Sequence, residues 1–232
     1  MKTNSDSAIY IIAPHPVFNP AVVKSFADFD KADSVILYST LLENILEVVS
    51  SLKLVTDNYL LMNYEDENLF RPSEPDTLTI NFLPEDYEEN LLKFLSDFSD
   101  KYIKNYLILA DSIGISSDII THCSNLLNRE DDALIIGKTF SGFITCLAFN
   151  KSNINYFEHL LRSEYDYMKF LSRLDSCSAF INIIEKLQRI TSIDDFIKLY
   201  VELSKKDSLN YCSQEMHERF THLFIEHKEL LQ

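Results

Sequence analysis

The feature that most constrains this chain is the alternation of short apolar segments with longer amphipathic ones. Helical periodicity fills most of the intervals between the apolar segments, and strands that alternate with helices of about 10 to 18 residues predict βαβ units and a mostly parallel sheet. We therefore expect an α/β fold in which helices cover both faces of a central sheet. The predicted strands are residues 8–13, 58–63, 77–83, 106–110, 133–136, 143–149 and 178–184.

Capping residues and prolines mark where the helices should begin. Ser, Thr, Asp and Asn accept hydrogen bonds from the first turn of a helix, and Pro is well tolerated there because it has no N–H to leave unpaired. The predicted helix starts are Asp33, Pro84, Ser116 or Ser117, and Ser192 or Asp194.

The last segment, residues 213–231, carries an apolar stripe at alternating steps of four and three, and this stripe must be covered. Most amphipathic helices cover their own core, which favours docking within the chain. The alternative is a homodimer formed through this C-terminal helix. The stripe consists of Met216, Phe220, Leu223, His227 and Leu230.

Charge and hydropathy exclude several functional classes. The formal net charge of -15 repels polyphosphate backbones, so we expect no nucleic-acid partner. No run of 18 apolar residues and no leader-like segment is present, which predicts a cytoplasmic protein without a membrane span. The cysteines form no C-x-x-C pair and are expected to be buried thiols rather than zinc ligands or a redox pair. They are Cys123, Cys146, Cys177 and Cys212.

A more specific pattern lies between residues 107 and 143. The chain reads Leu-Ile-Leu-Ala-Asp-Ser-Ile-Gly-Ile-Ser, then a predicted helix, then Asp-Ala-Leu-Ile-Ile-Gly and Phe-Ser-Gly-Phe. This order resembles small bacterial proteins of the glycosyltransferase-A-like, or nucleotide-diphospho-sugar transferase-like, family. In that family a strand ends in G-x-D-x-P-x-L and a later one reads V-V-L-G-P before D-G-G-Y. The matching positions are Asp111, Ile115, Gly137, Gly142 and Phe143.

The resemblance extends over about residues 8–205 and implies a fold and a function. The implied fold is a GT-A-like, Rossmann-like three-layer sandwich with extra C-terminal helices. It divides the chain into a transferase-like domain, residues 1–205, and a helical extension, residues 206–232. The implied activity is glycosyl or nucleotidyl transfer from a sugar nucleotide bound with Mg²⁺ or Mn²⁺.

The chain departs from the family pattern at most of the polar positions. The opening loop A-K-x-P-x-P-G-x-V-K-T-R keeps only Lys24 among its cations, and Phe140 stands in place of the Asp of D-G-G-Y. In the late D-x-D-T-x-E-D-L segment, Arg189 and Thr191 replace the first two acids and leave Asp195. Because divalent metals need several hard oxygen ligands, these losses predict an altered or lost metal and diphosphate site.

The resemblance and the strand ends together nominate a nucleotide-binding site at Pro14, His15, Lys24, Asp111, Ser112 and Gly142, with Asp111 as the metal ligand. Asp111 ends a central strand, where open α/β sheets bind ligands, but it could equally cap the following helix. The leading hypothesis is a sugar-nucleotide transferase-like protein with a degenerate site. The alternative is a non-catalytic interaction or scaffold protein whose cleft is closed by Phe140 and its neighbours.

Overall fold

The computed structural model describes residues 5–71, 78–84, 86–152, 154–174, 178–184 and 187–231. Within these ranges the chain forms a seven-stranded sheet and a separate two-stranded sheet. The strands are β1 (Ser7–Ile12), β2 (Asp57–Asn63), β3 (Thr79–Leu83), β4 (Lys104–Leu109), β5 (Ser112–Ile113), β6 (Ala133–Lys138), β7 (Ile144–Asn150), β8 (Phe180–Ile184) and β9 (Gln188–Arg189).

Helices fill the intervals between most of these strands, as the periodicity predicted. Short 3₁₀ turns follow β2 and flank the last helix. The α-helices of the described residues are α1 (Lys31–Ser50), α2 (Tyr87–Ser99), α3 (Ser117–Leu127), α4 (Tyr156–Arg162), α5 (Tyr167–Ser172), α6 (Ile193–Leu203) and α7 (Gln214–Glu226).

The large sheet has the strand order β3-β2-β1-β4-β7-β6-β8 and is mostly parallel. The exception among the described strands is β7, which runs antiparallel to both β4 and β6. Strands β5 and β9 pair antiparallel to each other beyond the end of β4. The β1 and β4 strands lie side by side at the centre, and this arrangement brings their carboxyl ends to one edge.

Helices cover both faces of the large sheet, so the predicted three-layer α/β architecture is confirmed. One core lies under α1, α3, α6 and α7 and contains Leu41 and Phe196, whereas the other lies under α2, α4 and α5 and contains Leu91 and Phe157. Alternate residues of β1 serve the two cores, because successive side chains of a strand point to opposite faces. Ile9 faces the first core and Tyr10 the second.

Two predicted helix starts are wrong by about a turn. The α1 helix is capped by Asp30, whose carboxylate accepts the Asp33 N–H, so Asp33 lies inside the first turn. The α2 helix begins at Tyr87 rather than Pro84, because Asp86 has a φ of 61° and interrupts the helical path. Ser116 and Ser192 cap α3 and α6, as predicted. The predicted start of β3, position 77, lies outside the described residues.

The C-terminal helix α7 docks on its own chain, which is the arrangement that the sequence analysis favoured. The Arg219 guanidinium pairs with Glu43 of α1. His227 lies 2.8 Å from the Asp33 carboxylate and stacks on Phe29, with the ring centroids 3.7 Å apart. Met216, Phe220 and Leu223 of the stripe are buried in the core under α1. The homodimer and the division of the chain at residue 205 stay predictions.

Two expectations from composition can be checked in the described part of the chain. Cys123, Cys146 and Cys212 are buried and unpaired, whereas Cys177 lies outside the described residues. Burial raises the pKa of the Cys123 thiol to about 12, which keeps it protonated and unreactive. None of the described helices has both the length and the hydropathy that a membrane span requires.

Candidate functional site

The edge of the sheet at which β1 and β4 end gathers the polar residues that the sequence singled out. Ile12 and Leu109 are register partners, and the Ala110 N–H donates to the Ile12 carbonyl at 2.8 Å. The segments that follow, 13–15 and 110–112, therefore leave the sheet side by side. We name this edge, with His15, Asp111 and Arg189, the rim.

An ion pair occupies the centre of the rim. Arg189 Nε donates to Asp111 Oδ2 at 2.8 Å, and the two side chains are only 16% and 4% exposed. The small sheet brings the partners together, because Arg189 in β9 lies opposite Ser112 in β5, and the Ile190 N–H donates to the Asp111 carbonyl at 2.9 Å. Asp111 is therefore neutralised by the side chain that replaces an acid of the family's late motif.

The Arg189 guanidinium keeps most of its donors unused. Arginine has five N–H groups, and the terminal Nη1 and Nη2 groups make no hydrogen bond to any residue that the structure describes. The guanidinium carbon lies 5.7 Å from the Phe143 ring centroid and 5.6 Å from that of Tyr165, within range of cation–π attraction. The side chain is thus held by one carboxylate and two rings, with four N–H groups left for an anion.

A left-handed turn holds Tyr165 beside the guanidinium. Glu164 and Tyr165 have φ values of 54° and 63°, which residues other than glycine rarely adopt. The Tyr165 carbonyl accepts the Ile144 N–H at 2.8 Å, which fixes the turn to the start of β7. Strained backbone of this kind is concentrated at functional sites.

His15 lies close enough to the same ion pair for both charges to act on it. Its ring meets the Tyr38 ring edge-on, with centroids 4.2 Å apart, and its Nδ1 donates to the Pro16 carbonyl at 3.1 Å. Burial lowers the pKa of His15 below its usual value; the Asp111 charge acts in the opposite direction, whereas the Arg189 and Lys24 charges add to the lowering. A neutral ring with a protonated Nδ1 leaves Nε2 as a hydrogen-bond acceptor.

The loop after β1 is closed by a carboxylate from another part of the chain. Asp66, in the turn after β2, accepts the backbone N–H groups of Val17, Phe18 and Asn19 at 2.8, 2.8 and 3.1 Å. Its side chain is fully buried. Burial raises the pKa of Asp66, and the three N–H donors act in the opposite direction. These three donors are engaged within the chain and are not offered to a phosphate.

The remaining nominated residues take different places. Pro14 is half-buried next to His15, and Lys24 is exposed but close enough for its charge to act on His15. Ser112 is fully buried, and its hydroxyl donates to the Leu109 carbonyl at 2.6 Å, so it serves the strand end rather than a ligand. Gly142 has a φ of 86° in the turn between β6 and β7, which favours glycine.

An open groove of about 550 Å³ is lined by Ile113 of β5 and Gln188 of β9, and His15, Asp111 and Arg189 are not among its lining residues. It lies between β5, the end of α6 and the β6–β7 turn, and a volume of this size accommodates a nucleotide-sized ligand. Phe140 lines it and is 83% exposed; closure of the cleft by Phe140 and its neighbours stays a prediction. Polar lining residues of the groove are Gln188, Glu202, Lys205, Asp207 and Tyr211.

The rim does not fit a divalent cation. Asp111 Oδ2 is bound by Arg189, and a guanidinium repels a metal ion. Asp195, the surviving acid of the late motif, accepts from Thr191 Oγ1 and Ser192 Oγ at the start of α6. Nowhere in the described ranges do three or more His, Cys, Asp or Glu side chains form a group suited to a metal. Asp111 as a metal ligand stays a prediction, against which this geometry argues.

Sequence reasoning missed two features of the site. Arg189 appeared only as a lost acid, although its side chain supplies the cation of the rim. Asp66 was not recognised, because it stands in an acidic stretch that is typical of a solvated loop. Proximity to β2 in sequence was the available clue, since β2 ends at the same edge as β1.

The chain is similar to known proteins in its fold but not in its sequence. No protein-family model matches the chain, and no curated protein is significantly similar to it in sequence. A solved structure from Desulfovibrio desulfuricans G20, assigned as a nucleotide-diphospho-sugar transferase, superposes with a TM-score of 0.68 at 16% identity. The match covers 98% of this chain and 97% of that one. The chain has the fold of nucleotide-diphospho-sugar transferases.

Two further structures share the nucleotide-diphospho-sugar transferase fold. One is 4-diphosphocytidyl-2C-methyl-D-erythritol synthase from Anaerococcus prevotii DSM 20548, with a TM-score of 0.57 and 14% identity over 87% of this chain and 97% of that one. The other is Rv0371c from Mycobacterium tuberculosis H37Rv in complex with manganese, with a TM-score of 0.53 and 10% identity over 83% and 96%. The manganese complex belongs to that protein, whereas the rim of this chain carries Arg189.

Proposed function

We propose that this protein binds a nucleotide or sugar nucleotide at the rim, as a transferase-type protein whose metal and diphosphate site is altered. The observation that carries the proposal is the Arg189 guanidinium at the carboxyl ends of the central strands, where four of its N–H groups have no hydrogen-bond partner among the described residues. Open α/β sheets bind ligands at this edge, and the planar fork of arginine matches the oxygens of a phosphate.

The neighbouring groups are consistent with such a ligand. Lys24 adds a second positive charge near His15, and neutral His15 offers an acceptor for a hydroxyl group. The groove lined by β5 and β9 presents an exposed aromatic ring, Phe140, on which a base or sugar can stack, together with carboxylate and hydroxyl groups that pair with sugar hydroxyls. Protein structures of the same fold carry nucleotide-sugar and cytidyl names, which supports this ligand class.

A panel of ligands tests the proposal. Thermal unfolding of the purified protein is followed with nucleoside mono-, di- and triphosphates and nucleoside diphosphate sugars, each with EDTA and with Mn²⁺. A ligand at 100 times its Kd adds about 2.7 kcal/mol to the free energy of unfolding, which raises the midpoint measurably. Arg189→Gln should remove the shift, and Arg129→Gln, at an exposed position, should keep it.

One observation favours a second candidate, a non-catalytic interaction protein. Asp66 occupies three N–H groups of the opening loop, and Val23, Phe26 and Phe29 fill the rest of that loop with apolar side chains. A loop built in this way needs no ligand to be stable. If no nucleotide or sugar nucleotide shifts the unfolding midpoint, the nucleotide proposal is wrong and this candidate replaces it.

A further inference from the structure

We infer that Arg189 takes the place of the divalent cation in this fold, so that ligand binding at the rim needs no metal and a single substitution would recreate a metal site. The identity of the ligand rests on the proposed function. The inference itself rests on how Arg189 and Asp111 are placed, which can be tested with a metal ion alone.

The geometry of the ion pair supports the exchange. A cation that binds phosphate at the strand ends must be fixed there by an acid and must keep donors or open positions toward the ligand. Arg189 meets both conditions, since Nε is bound to Asp111 Oδ2 at 2.8 Å and the terminal N–H groups have no partner among the described residues. The second oxygen, Asp111 Oδ1, is buried and also lacks a partner in the described part of the chain.

A glutamate at this position would supply the missing metal ligand. Arginine Nε and a glutamate carboxylate oxygen are both four bonds from Cα. In the Arg189→Glu variant a carboxylate oxygen can therefore stand where Nε is now, 2.8 Å from Asp111 Oδ2. Octahedral ions such as Mg²⁺ hold oxygens at about 2.0–2.1 Å, which separates neighbouring ligand oxygens by about 2.9 Å. The Asp111–Arg189 distance therefore already matches the edge of a coordination octahedron.

The test measures binding of Mn²⁺ alone, by loss of the free-ion signal in electron paramagnetic resonance. We expect Arg189→Glu to bind Mn²⁺ with a Kd on the order of 10⁻⁴ to 10⁻³ M, the weak end of carboxylate sites. The wild-type protein and Arg189→Gln should bind at least about tenfold more weakly, because each lacks the second carboxylate.

Two controls separate a built site from the acidic surface. Arg129→Glu makes the same charge change at an exposed position remote from β9 in the sequence and should not gain Mn²⁺ binding. Adding Asp111→Asn to Arg189→Glu should abolish the gain. Folding of Arg189→Glu is followed by circular dichroism with and without Mn²⁺. Folding that requires Mn²⁺ also supports the inference, because it shows that the folded variant binds the ion.

Arg189→Asp, with one methylene less, is the second variant in case the glutamate cannot be accommodated. The inference is overturned if neither variant binds or refolds with Mn²⁺, or if Arg129→Glu gains as much. A nucleotide arm is scored separately: wild-type binding that is unchanged by EDTA supports the inference, whereas binding that requires Mn²⁺ contradicts it. If the protein binds no nucleotide, the proposed function is wrong, but the Mn²⁺ binding measured for the Arg189 variants still tests the inference.

Discussion

Removing the Asp66 carboxylate should release the loop after β1 and destabilise the whole chain. A hydrogen bond to a charged group contributes about 1.5–3 kcal/mol, and an N–H left buried without an acceptor costs about 1–3 kcal/mol. Val17 is buried, so its N–H stays without an acceptor in Asp66→Ala, whereas Phe18 and Asn19 are half-buried and water can replace part of their bonds. The Val17 N–H contributes its full penalty, and the Phe18 and Asn19 N–H groups contribute part of theirs. Because the variant also no longer buries the Asp66 charge, we expect a net loss of about 3 kcal/mol in the free energy of unfolding.

This loss would be measured by urea unfolding followed by circular dichroism, with the denaturant slope checked for constancy. For a chain of this length, about 3 kcal/mol corresponds to a fall of roughly 6 to 12 °C in Tm. Asp66→Asn keeps an oxygen for two of the three donors but turns N–H groups toward the third, and should lose about 2 kcal/mol.

The control is Asp28→Ala, an exposed aspartate of the loop between β1 and α1 that Asp66 holds, which should change stability by less than about 0.5 kcal/mol. Hydrogen exchange adds a local readout, since the amides of Val17, Phe18 and Asn19 should be protected in the wild type and should exchange faster in Asp66→Ala. If Asp66→Ala stays within about 0.5 kcal/mol of the wild type, the carboxylate does not hold the loop and the reasoning fails.

Three further predictions concern the rim and the helices around it. The His15 resonance should titrate below pH 6.5 in NMR, and lower still in Asp111→Asn, because the Asp111 charge raises this pKa. Since the folded pKa is below the unfolded one, the His15 contribution to stability is present above pH 6.5 and is lost as the pH falls through the folded pKa. Phe220→Ala, at a fully buried ring of α7, should lower the free energy of unfolding by about 3–5 kcal/mol in urea titrations, whereas Ile225→Ala, at a 63% exposed position of the same helix, should change it little. Ser192→Ala should cost about 1 kcal/mol by the same measurement, because the Ser192 hydroxyl accepts the Asp195 N–H at the start of α6.

The strands and helices could be predicted because their signals are local. The apolar segments around β1, β4 and β6 and the stripe of α7 report which side of each element is buried, and the structure places those sides in the two cores. Helix starts were less secure, since capping depends on backbone angles such as the positive φ of Asp86, which the residue types alone do not fix.

The chemistry of the site could be predicted only in part, because it depends on pairings between distant segments. The ends of β1 and β4 drew attention to His15 and Asp111, and the two residues lie at one edge of the sheet because these strands are parallel and paired. The partner of Asp111 is delivered by the β5–β9 pairing, and Asp66 reaches the opening loop from beyond β2. Neither pairing leaves a periodic trace in the sequence, because two-residue strands and single side chains have no repeat to detect.

Charge balance explains why Asp111 is accompanied by an arginine. A buried carboxylate without a counter-charge is strongly destabilising, so Asp111 cannot remain ionised beneath the rim unless a cation accompanies it. A metal ion held by several acids meets this need when it is bound, whereas Arg189 meets it at all times. Arg189, at a position where the resemblance predicted an acid, therefore supplies the counter-charge of Asp111. The Asp111 charge is thereby compensated without a ligand, and four N–H groups of Arg189 have no hydrogen-bond partner among the described residues.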